Sequence, residues 1–123
     1  MNFEKLEVWQ RSARLAAELY KATSQLRDYG FRDQLTRAGL SVPSNIAEGM
    51  TRSSSKEKCR FLEIVRSSIA ETRTQIYIGI EINYLPRENA RVWLDETKQI
   101  SAMISGLMQK IKLILSCQLK APN

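Results

Sequence analysis

The chain has 123 residues, of which 43% are hydrophobic and 26% are charged, and its formal net charge is +6. This length supports one hydrophobic core rather than two, so we predict a single domain over residues 1–119 and a frayed tail at 120–123. The composition excludes a membrane-spanning helix, because no run approaches about eighteen consecutive apolar residues. The acidic residues near the N-terminus, where a signal peptide is apolar, favour a cytoplasmic protein.

The apolar period predicts four helices, and the first runs from about Leu6 to Leu26. We expect it to end near residues 28–30, where Gly30 would supply the turn into the next element. Side chains spaced by three or four residues mark the face that should be buried. Its members are Val8 or Trp9, Ala13, Ala16, Leu19 or Tyr20, and Thr23.

A proline lies inside the second predicted helix, which runs from Tyr29 or Phe31 to Met50. Pro43 removes one backbone hydrogen bond and crowds the carbonyl group of Gly39, four residues earlier, so a kink is expected. Two short helices that meet beside the proline would also fit. The apolar stripe nevertheless keeps its phase through Pro43, which favours one kinked helix. The members of that stripe are Phe31, Leu35, Ala38, Val42, Ile46 and Gly49.

The third helix is predicted to begin at a capping box, in which Ser54 is followed three residues later by Glu57. In such a box the serine hydroxyl group accepts a hydrogen bond from a free backbone N–H group of the first turn. The helix should reach about Tyr84. Its predicted core positions are Leu62, Val65, Ile69, Thr72, Ile76 and Ile80.

Pro86 fits the first turn of a fourth helix, where its missing N–H group costs nothing, and this helix should extend to about Cys117. Short connections make sequence neighbours antiparallel, so the predicted fold class is all-α, an antiparallel up-down-up-down four-helix bundle. Helices three and four are the longer pair, at about 30 residues or 45 Å each. The predicted core positions of helix four are Trp93, Thr97, Ile100, Ile104, Leu107, Ile111 and Ile114.

A polar stripe accompanies the apolar one along helix two, and helix three carries polar residues at a matching spacing. Across an antiparallel pair the two sets could form a hydrogen-bonded network that fixes register. The alternative is that the segment shapes the bundle and does nothing more. The predicted structural network, at the helix two–three interface or at a subunit interface, comprises Ser41, Asn45, Glu48, Ser67, Glu71 and Gln75.

The chain contains no histidine, which removes most catalytic sites from consideration. Di-iron bundles need Glu-x-x-His pairs, and serine or cysteine nucleophiles usually rely on a histidine base. The five glycines are isolated, so no phosphate-binding loop is present. Glu48 and Glu71 could in principle hold a metal, but two carboxylates without further ligands make a weak site. We therefore expect no catalytic residue, no metal, no cofactor and no enzymatic activity.

The two cysteines, Cys59 and Cys117, match no metal-binding spacing. In a cytoplasmic protein they should be reduced core or boundary residues. Both would lie near the same end of an antiparallel bundle, so air oxidation could join them, although nothing requires it.

From Asp33 to Gln75 the chain resembles the four-helix bundle proteins encoded within intervening sequences of bacterial 23S ribosomal RNA genes, which are often labelled as a ribosomal protein. The motif SVPSNIAEG at 41–49 is the most specific part of this likeness. The other parts are DQLTRA at 33–38, Arg52 with SSSKE at 53–57, RFLEI at 60–64, Ser67, Glu71, Gln75, and F-x-K-L-x-V-W-Q at 3–10.

The resemblance implies a left-handed bundle that assembles into a ring, commonly a homopentamer, with no known catalytic activity. Nucleic-acid binding is the usual suggestion, supported by a similarity to basic pentameric accessory proteins of diversity-generating retroelements. One departure is that Gly39 and Leu40 stand where relatives tend to have small apolar residues, so the local bend need not match theirs.

Basic residues are concentrated in two segments. Residues 52–60 carry four basic side chains and one acid, and after Glu96 the chain has four lysines and no acid. An antiparallel bundle brings both segments to one end, which predicts RNA or DNA binding by charge and shape rather than by sequence. The alternative is a structural or adaptor protein that binds another protein, with a lysine-rich surface that only keeps it soluble. The candidate nucleic-acid-binding residues are Arg52, Lys56, Lys58, Arg60, Lys110, Lys112 and Lys120.

Overall fold

The computed structural model describes residues 2–120, with the side chains described as far as residue 115. Four α-helices account for most of this range, and no strand occurs within it. A single 3-10 turn at Phe3–Lys5 precedes the first helix. The predicted all-α class is confirmed, as is the greater length of helices three and four. The helices are α1 at Glu7–Thr23, α2 at Tyr29–Met50, α3 at Ser55–Glu81 and α4 at Arg87–Lys120.

The turn between α1 and α2 differs from the prediction. α1 ends at Thr23 rather than Leu26, and Gly30 lies inside the first turn of α2 without a positive φ. Asp28 begins α2 instead, because its side chain accepts a hydrogen bond from the backbone N–H group of Phe31 at 3.1 Å. An aspartate just before an apolar helical period is a known N-cap signal. The prediction that glycine makes this turn was wrong.

Capping groups set the ends of α3 as well. The Ser54 hydroxyl group accepts from the Glu57 backbone N–H group at 3.0 Å, as the capping box predicts. At the other end Asn83 adopts a left-handed φ of 61°, which turns the chain back over the last turn of the helix. Leu85 is thereby packed so closely on Gly79 that a Cβ atom there would lie 2.5 Å from its Cδ1 atom.

α2 is one helix with Pro43 inside it, and its predicted apolar stripe is buried except for the half-buried Phe31. Two glycines let neighbouring helices approach it. A Cβ atom on Gly39 would lie 2.8 Å from Cδ1 of Leu19 in α1. A Cβ atom on Gly49 would lie 2.7 Å from Cβ of Phe61 in α3.

Most of the predicted core positions are buried in all four helices, and in α1 these are Val8, Ala16, Leu19 and Thr23. Ser12 and Leu15 are buried, whereas Ala13 is only half-buried and Tyr20 is 46% exposed. The buried face of α1 is therefore centred between Ser12 and Leu19. Residues on one side of this face, such as Ala13 and Tyr20, line a groove between α1 and α2. Ile114 in α4 is also exposed, contrary to prediction, because it lies beyond the start of α1.

Each helix packs against two others, in the order α1–α2–α3–α4 and back to α1. Along α2 and α3, contacting positions fall in one helix as they rise in the other. The same reversed order relates α1 to α4. The contacting pairs include Gly49 with Phe61, Ser41 with Ser68, Gln34 with Gln75, Arg11 with Glu96, and Glu18 with Trp93. Within the described range, no helix combines the length and apolarity that a bilayer crossing requires.

Candidate nucleic-acid interface

The connection between α2 and α3 is closed by a lysine. The Lys58 ammonium group donates to the backbone carbonyl groups of Arg52 and, at 3.5 Å, of Met50. These carbonyl groups lie at the C-terminal end of α2, where the helix leaves acceptors without an internal partner. A cation is favourable there because it also opposes the negative end of the helix dipole. Lys58 is half-buried, so much of its charge serves the fold rather than the outer surface.

Arg52 also has a structural contact. Its guanidinium group lies 4.7 Å from the ring centroid of Phe61, within the range of a cation–π interaction. Phe61 is the side chain that packs on Gly49, so this contact ties the connection to the α2–α3 interface. Arg52 itself remains exposed.

The remaining described candidates are free of such roles. Lys56 is exposed, and Arg60 forms only an exposed pair with Glu57 at 3.8 Å. Exposed pairs of this kind hold their partners weakly, so a phosphate can compete for Arg60. Lys110 and Lys112 are exposed on α4. Lys120 ends α4, and its side chain lies outside the described side chains.

The predicted polar network is only partly assembled within one chain. Ser41 Oγ lies 2.7 Å from Ser68 Oγ, and the Asn45 amide group donates to the Ser41 carbonyl and hydroxyl oxygens at 2.8 and 2.9 Å. The sequence analysis predicted Ser67 in this network, but Ser67 is exposed and the adjacent Ser68 makes the contact. Glu48 and Glu71 are exposed as well.

Gln75, the sixth predicted member, contacts a different partner. It is only 8% exposed, and its Nε2 atom donates to Gln34 Oε1 at 3.5 Å. Its own Oε1 atom is buried without a hydrogen-bond donor among the described residues. We name the row formed by Gln34, Ser41, Asn45, Ser68 and Gln75 the polar seam. Sequence spacing alone could not identify the polar seam, because Ser67 and Ser68 are adjacent and the rotation of α3 about its axis decides which of them faces α2.

The α1–α4 face is held by a charge pair that the sequence analysis did not identify. Arg11 donates to both carboxylate oxygens of Glu96, at 2.9 and 2.5 Å, and also to Gln99 Oε1 at 2.5 Å. This bidentate hydrogen bonding lowers the pKa of Glu96 from its ordinary value, against an opposing effect of burial. The same contact raises the pKa of Arg11. The two residues are 85 positions apart, so no local pattern indicates the pair.

Neither a thiol site nor a metal site emerges from the described residues. Cys59 is a half-buried free thiol, and the Cys117 side chain lies outside the described side chains. No group of three or more cysteine, aspartate or glutamate side chains that could hold a metal ion occurs in the described part of the chain.

Comparison with known proteins gives a family and a fold. The model of the family described as 23S rRNA-intervening sequence protein matches residues 4–106. No curated protein matches the chain. A solved structure of a protein with unknown function from the S23 ribosomal protein family of Bacteroides thetaiotaomicron is similar, with a TM-score of 0.77 and 21% identity. The similarity covers 82% of this chain and 97% of that one, and at this identity it bears on the fold alone.

Proposed function

Since the chain belongs to the family of 23S rRNA-intervening sequence proteins, we propose that it is a non-enzymatic, cytoplasmic, homo-oligomeric bundle that binds RNA or DNA through one basic end. The bundle is antiparallel, up-down-up-down, with α2 kinked at Pro43. Charge and shape, rather than base-specific contacts, provide the recognition. The oligomer is a ring, as the family resemblance implies, and it multiplies the basic surface so that weak contacts give useful avidity.

The observation that carries this proposal is the placement of cations relative to one α3–α4 contact. Arg73 in α3 donates to the Leu94 carbonyl oxygen and the Thr97 hydroxyl oxygen in α4, each at 2.8 Å. Arg60 lies thirteen residues before Arg73, and Lys110 lies thirteen residues after Thr97. At 1.5 Å per residue, each is about 20 Å from the contact. In helices of opposite direction both displacements point to the same end.

The charge balance supports a basic end rather than a uniformly basic surface. Residues 52–60 have a net charge of +3, and the three lysines of α4 that lie well beyond the α3–α4 contact of Arg73, which are Lys110, Lys112 and Lys120, add another +3 to a total of +6. The rest of the chain is therefore close to neutral. Phosphate contacts from exposed side chains such as Lys56 and Lys112 release counterions from the nucleic acid. Binding should thus weaken steeply as the salt concentration rises.

The test is fluorescence anisotropy of the full chain with a structured RNA and with a duplex DNA, across a salt series. The decisive variant changes four exposed cations of the basic end to glutamine and leaves Lys58 and Arg52 intact, because those two stabilise the connection. On duplex DNA, the slope of log K against log salt should fall by about 0.9 for each phosphate contact removed. The four positions are Lys56, Arg60, Lys110 and Lys112.

A matched control removes four exposed cations that are not in the basic end. It includes Arg66, whose exposed pair with Glu63 at 3.6 Å corresponds to the Arg60–Glu57 pair. Binding that persists in the control and is lost in the basic-end variant would support the proposal. Equal losses would show that only net charge matters, and no binding at low salt would leave an adaptor role toward another protein. The control positions are Arg27, Arg66, Arg87 and Arg91.

A further inference from the structure

No chain connection crosses the interface between α1 and α4, the first and last helices. Short connections at 24–28, 51–54 and 82–86 join the other neighbours, and each keeps its two helices close together. Side chains alone hold α1 against α4. This interface can therefore open while every connection stays intact.

The α1–α4 interface is also the least closely packed of the four. Surface openings of about 570 and 260 Å³ lie along it, and both are bordered by Glu18, Val92 and Trp93. Trp93 itself is only 4% exposed, and its indole N–H group donates to the Glu18 carboxylate at 3.2 Å. Separation of α1 from α4 would therefore break this hydrogen bond and expose the indole group to water.

The bonds across the α1–α4 interface depend on charge. Among the described residues, every hydrogen bond between these two helices uses a charged side chain, because Arg11 donates to Glu96 and Gln99, and Trp93 donates to Glu18. The side chains of Arg11 and Glu96 are 22% and 26% exposed, so dissolved ions reach the pair. Salt therefore weakens the attraction that closes this interface.

The other three interfaces do not depend on an ion pair. Arg73 joins α3 to α4 through a carbonyl and a hydroxyl oxygen, both of them uncharged acceptors. Ser41 and Ser68 join α2 to α3 through their hydroxyl groups, and Gly39 lets α1 pack closely on α2. Among the described side chains, the pair between α1 and α4 is the one ion pair that joins different helices. Added salt therefore acts on the α1–α4 interface more than on the others.

We propose that the bundle opens along the α1–α4 interface before any other, and that the Arg11–Glu96 pair is the latch that holds this interface closed. In the open state α1 and α4 are separated beside Trp93, while α2 and α3 remain packed on each other. Salt raises the population of the open state, because it screens the latch. The opening requires neither nucleic acid nor a second copy of the chain, so it is independent of the function proposed above.

Hydrogen exchange of the unmodified chain, measured by NMR, tests the latch. The indole N–H group of Trp93 reports opening of the interface, and the backbone N–H groups of Leu62 and Val65, which are fully buried in α3, report global unfolding. We expect the indole group to be less protected than the α3 amide groups by about tenfold or more. Its protection should fall further as salt rises from about 0.01 to about 1 M, since the Debye length falls from about 30 to about 3 Å.

Two substitutions of similar cost distinguish the latch from global unfolding. Glu96→Gln breaks a contact that opening also breaks, so it should lower the protection of the Trp93 indole N–H group about fivefold. Ser68→Ala breaks a contact that persists in the open state, so it should leave the indole group unchanged and lower the protection of the α3 amide groups about fivefold. Glu63→Gln is the matched charge control, since its pair with Arg66 lies within α3, and it should leave the indole group unchanged.

Two outcomes would overturn the latch. In the first, the indole group is as protected as the α3 amide groups and Ser68→Ala lowers both, which would mean that α1 and α4 separate only in the unfolded chain. In the second, the indole group exchanges faster but responds neither to salt nor to Glu96→Gln, which would mean that opening leaves the ion pair intact. None of these measurements uses nucleic acid, so the proposed function is tested separately.

Discussion

Two interfaces of the bundle, α2–α3 and α1–α4, are held by different chemistry. α2 and α3 approach closely through Gly49 and bond through short hydroxyl and amide side chains such as Ser41 and Ser68. α1 and α4 are less closely packed, with surface openings of about 570 and 260 Å³ along the α1–α4 interface. Long side chains cross that gap, above all those of Arg11 and Glu96. A close interface depends on side-chain volume, and an open one depends on charge and therefore on pH and salt.

The largest expected effect comes from adding one methyl group at the close interface. Gly49→Ala places a Cβ atom 2.7 Å from Cβ of Phe61, an atom next to the backbone that cannot move aside without separating α2 from α3. Overpacking of this kind costs about 1–3 kcal/mol, more than the gain of up to about 1 kcal/mol in helix propensity. Denaturant unfolding should show a net loss of stability.

The matched control for this substitution is Gly106→Ala in α4, where a Cβ atom would have no heavy atom within 4 Å. Only the propensity gain applies there, so stability should rise by about 0.5–1 kcal/mol. Opposite signs at the two glycines would confirm that Gly49 is required by close approach. A gain at both would show that the α2–α3 interface is looser than the geometry indicates.

The next effect distinguishes two adjacent serines on α3. Ser68→Ala removes the partner of Ser41 and should cost about 1 kcal/mol in the free energy of unfolding, because the Ser41 hydroxyl group loses a half-buried hydrogen bond. Ser67→Ala, at an exposed position, should change the free energy of unfolding by less than about 0.5 kcal/mol. A larger loss of stability for Ser67→Ala than for Ser68→Ala would instead support the contact through Ser67 that the sequence spacing predicted.

The sequence predicted the features of the fold that depend on local patterns. Most positions on the predicted apolar stripes of the four helices are buried, since burial follows directly from the helical repeat. In α1 the apolar period left two choices open, because Trp9 and Tyr20 extend the stripe to one side, and the structure buries Val8 and Leu19 instead of these aromatic residues. The capping box at Ser54 was identified because it is local, whereas the cap at Asp28 was missed in favour of Gly30.

The candidate site was predictable in composition but not in the roles of its members. The sequence identified the basic segment 52–60 but did not distinguish Lys58, which caps α2, from Lys56, which is exposed. That distinction depends on the direction in which each lysine side chain extends from the first turn of α3, which the sequence does not show. The Arg11–Glu96 pair needed the fold itself, because its partners come from the first and last helices.

A smaller effect is expected at the open interface, and it depends on pH. Glu96→Gln removes the carboxylate that Arg11 holds, and we expect a loss of about 1 kcal/mol in the free energy of unfolding near pH 7. The pKa of Glu96 is lowered in the folded chain, so its contribution is present above the unfolded value of about 4.3. It is lost as the pH falls through the folded pKa.

Unfolding of the unmodified chain and of Glu96→Gln should therefore be compared at neutral pH and in acid. The difference should shrink as the pH falls below about 4 and as salt is added at neutral pH. Glu63→Gln is the control, because its pair with Arg66 is exposed and should contribute less than about 0.5 kcal/mol. A difference independent of pH would show that Glu96 acts by packing rather than by charge.

The smallest effect separates structure from binding within the basic end. Lys58→Gln removes the cation at the C-terminal end of α2 and should lower stability by about 0.3–1 kcal/mol. It should leave the salt dependence of nucleic-acid binding almost unchanged. Lys56→Gln should do the opposite, with unchanged stability and a shallower salt slope, because its ammonium group is exposed. The contrary outcome is that Lys58→Gln reduces the salt slope as much as Lys56→Gln does. That result would mean that the Lys58 ammonium group leaves the α2 carbonyl groups when nucleic acid binds. The connection between α2 and α3 would then be part of the binding surface.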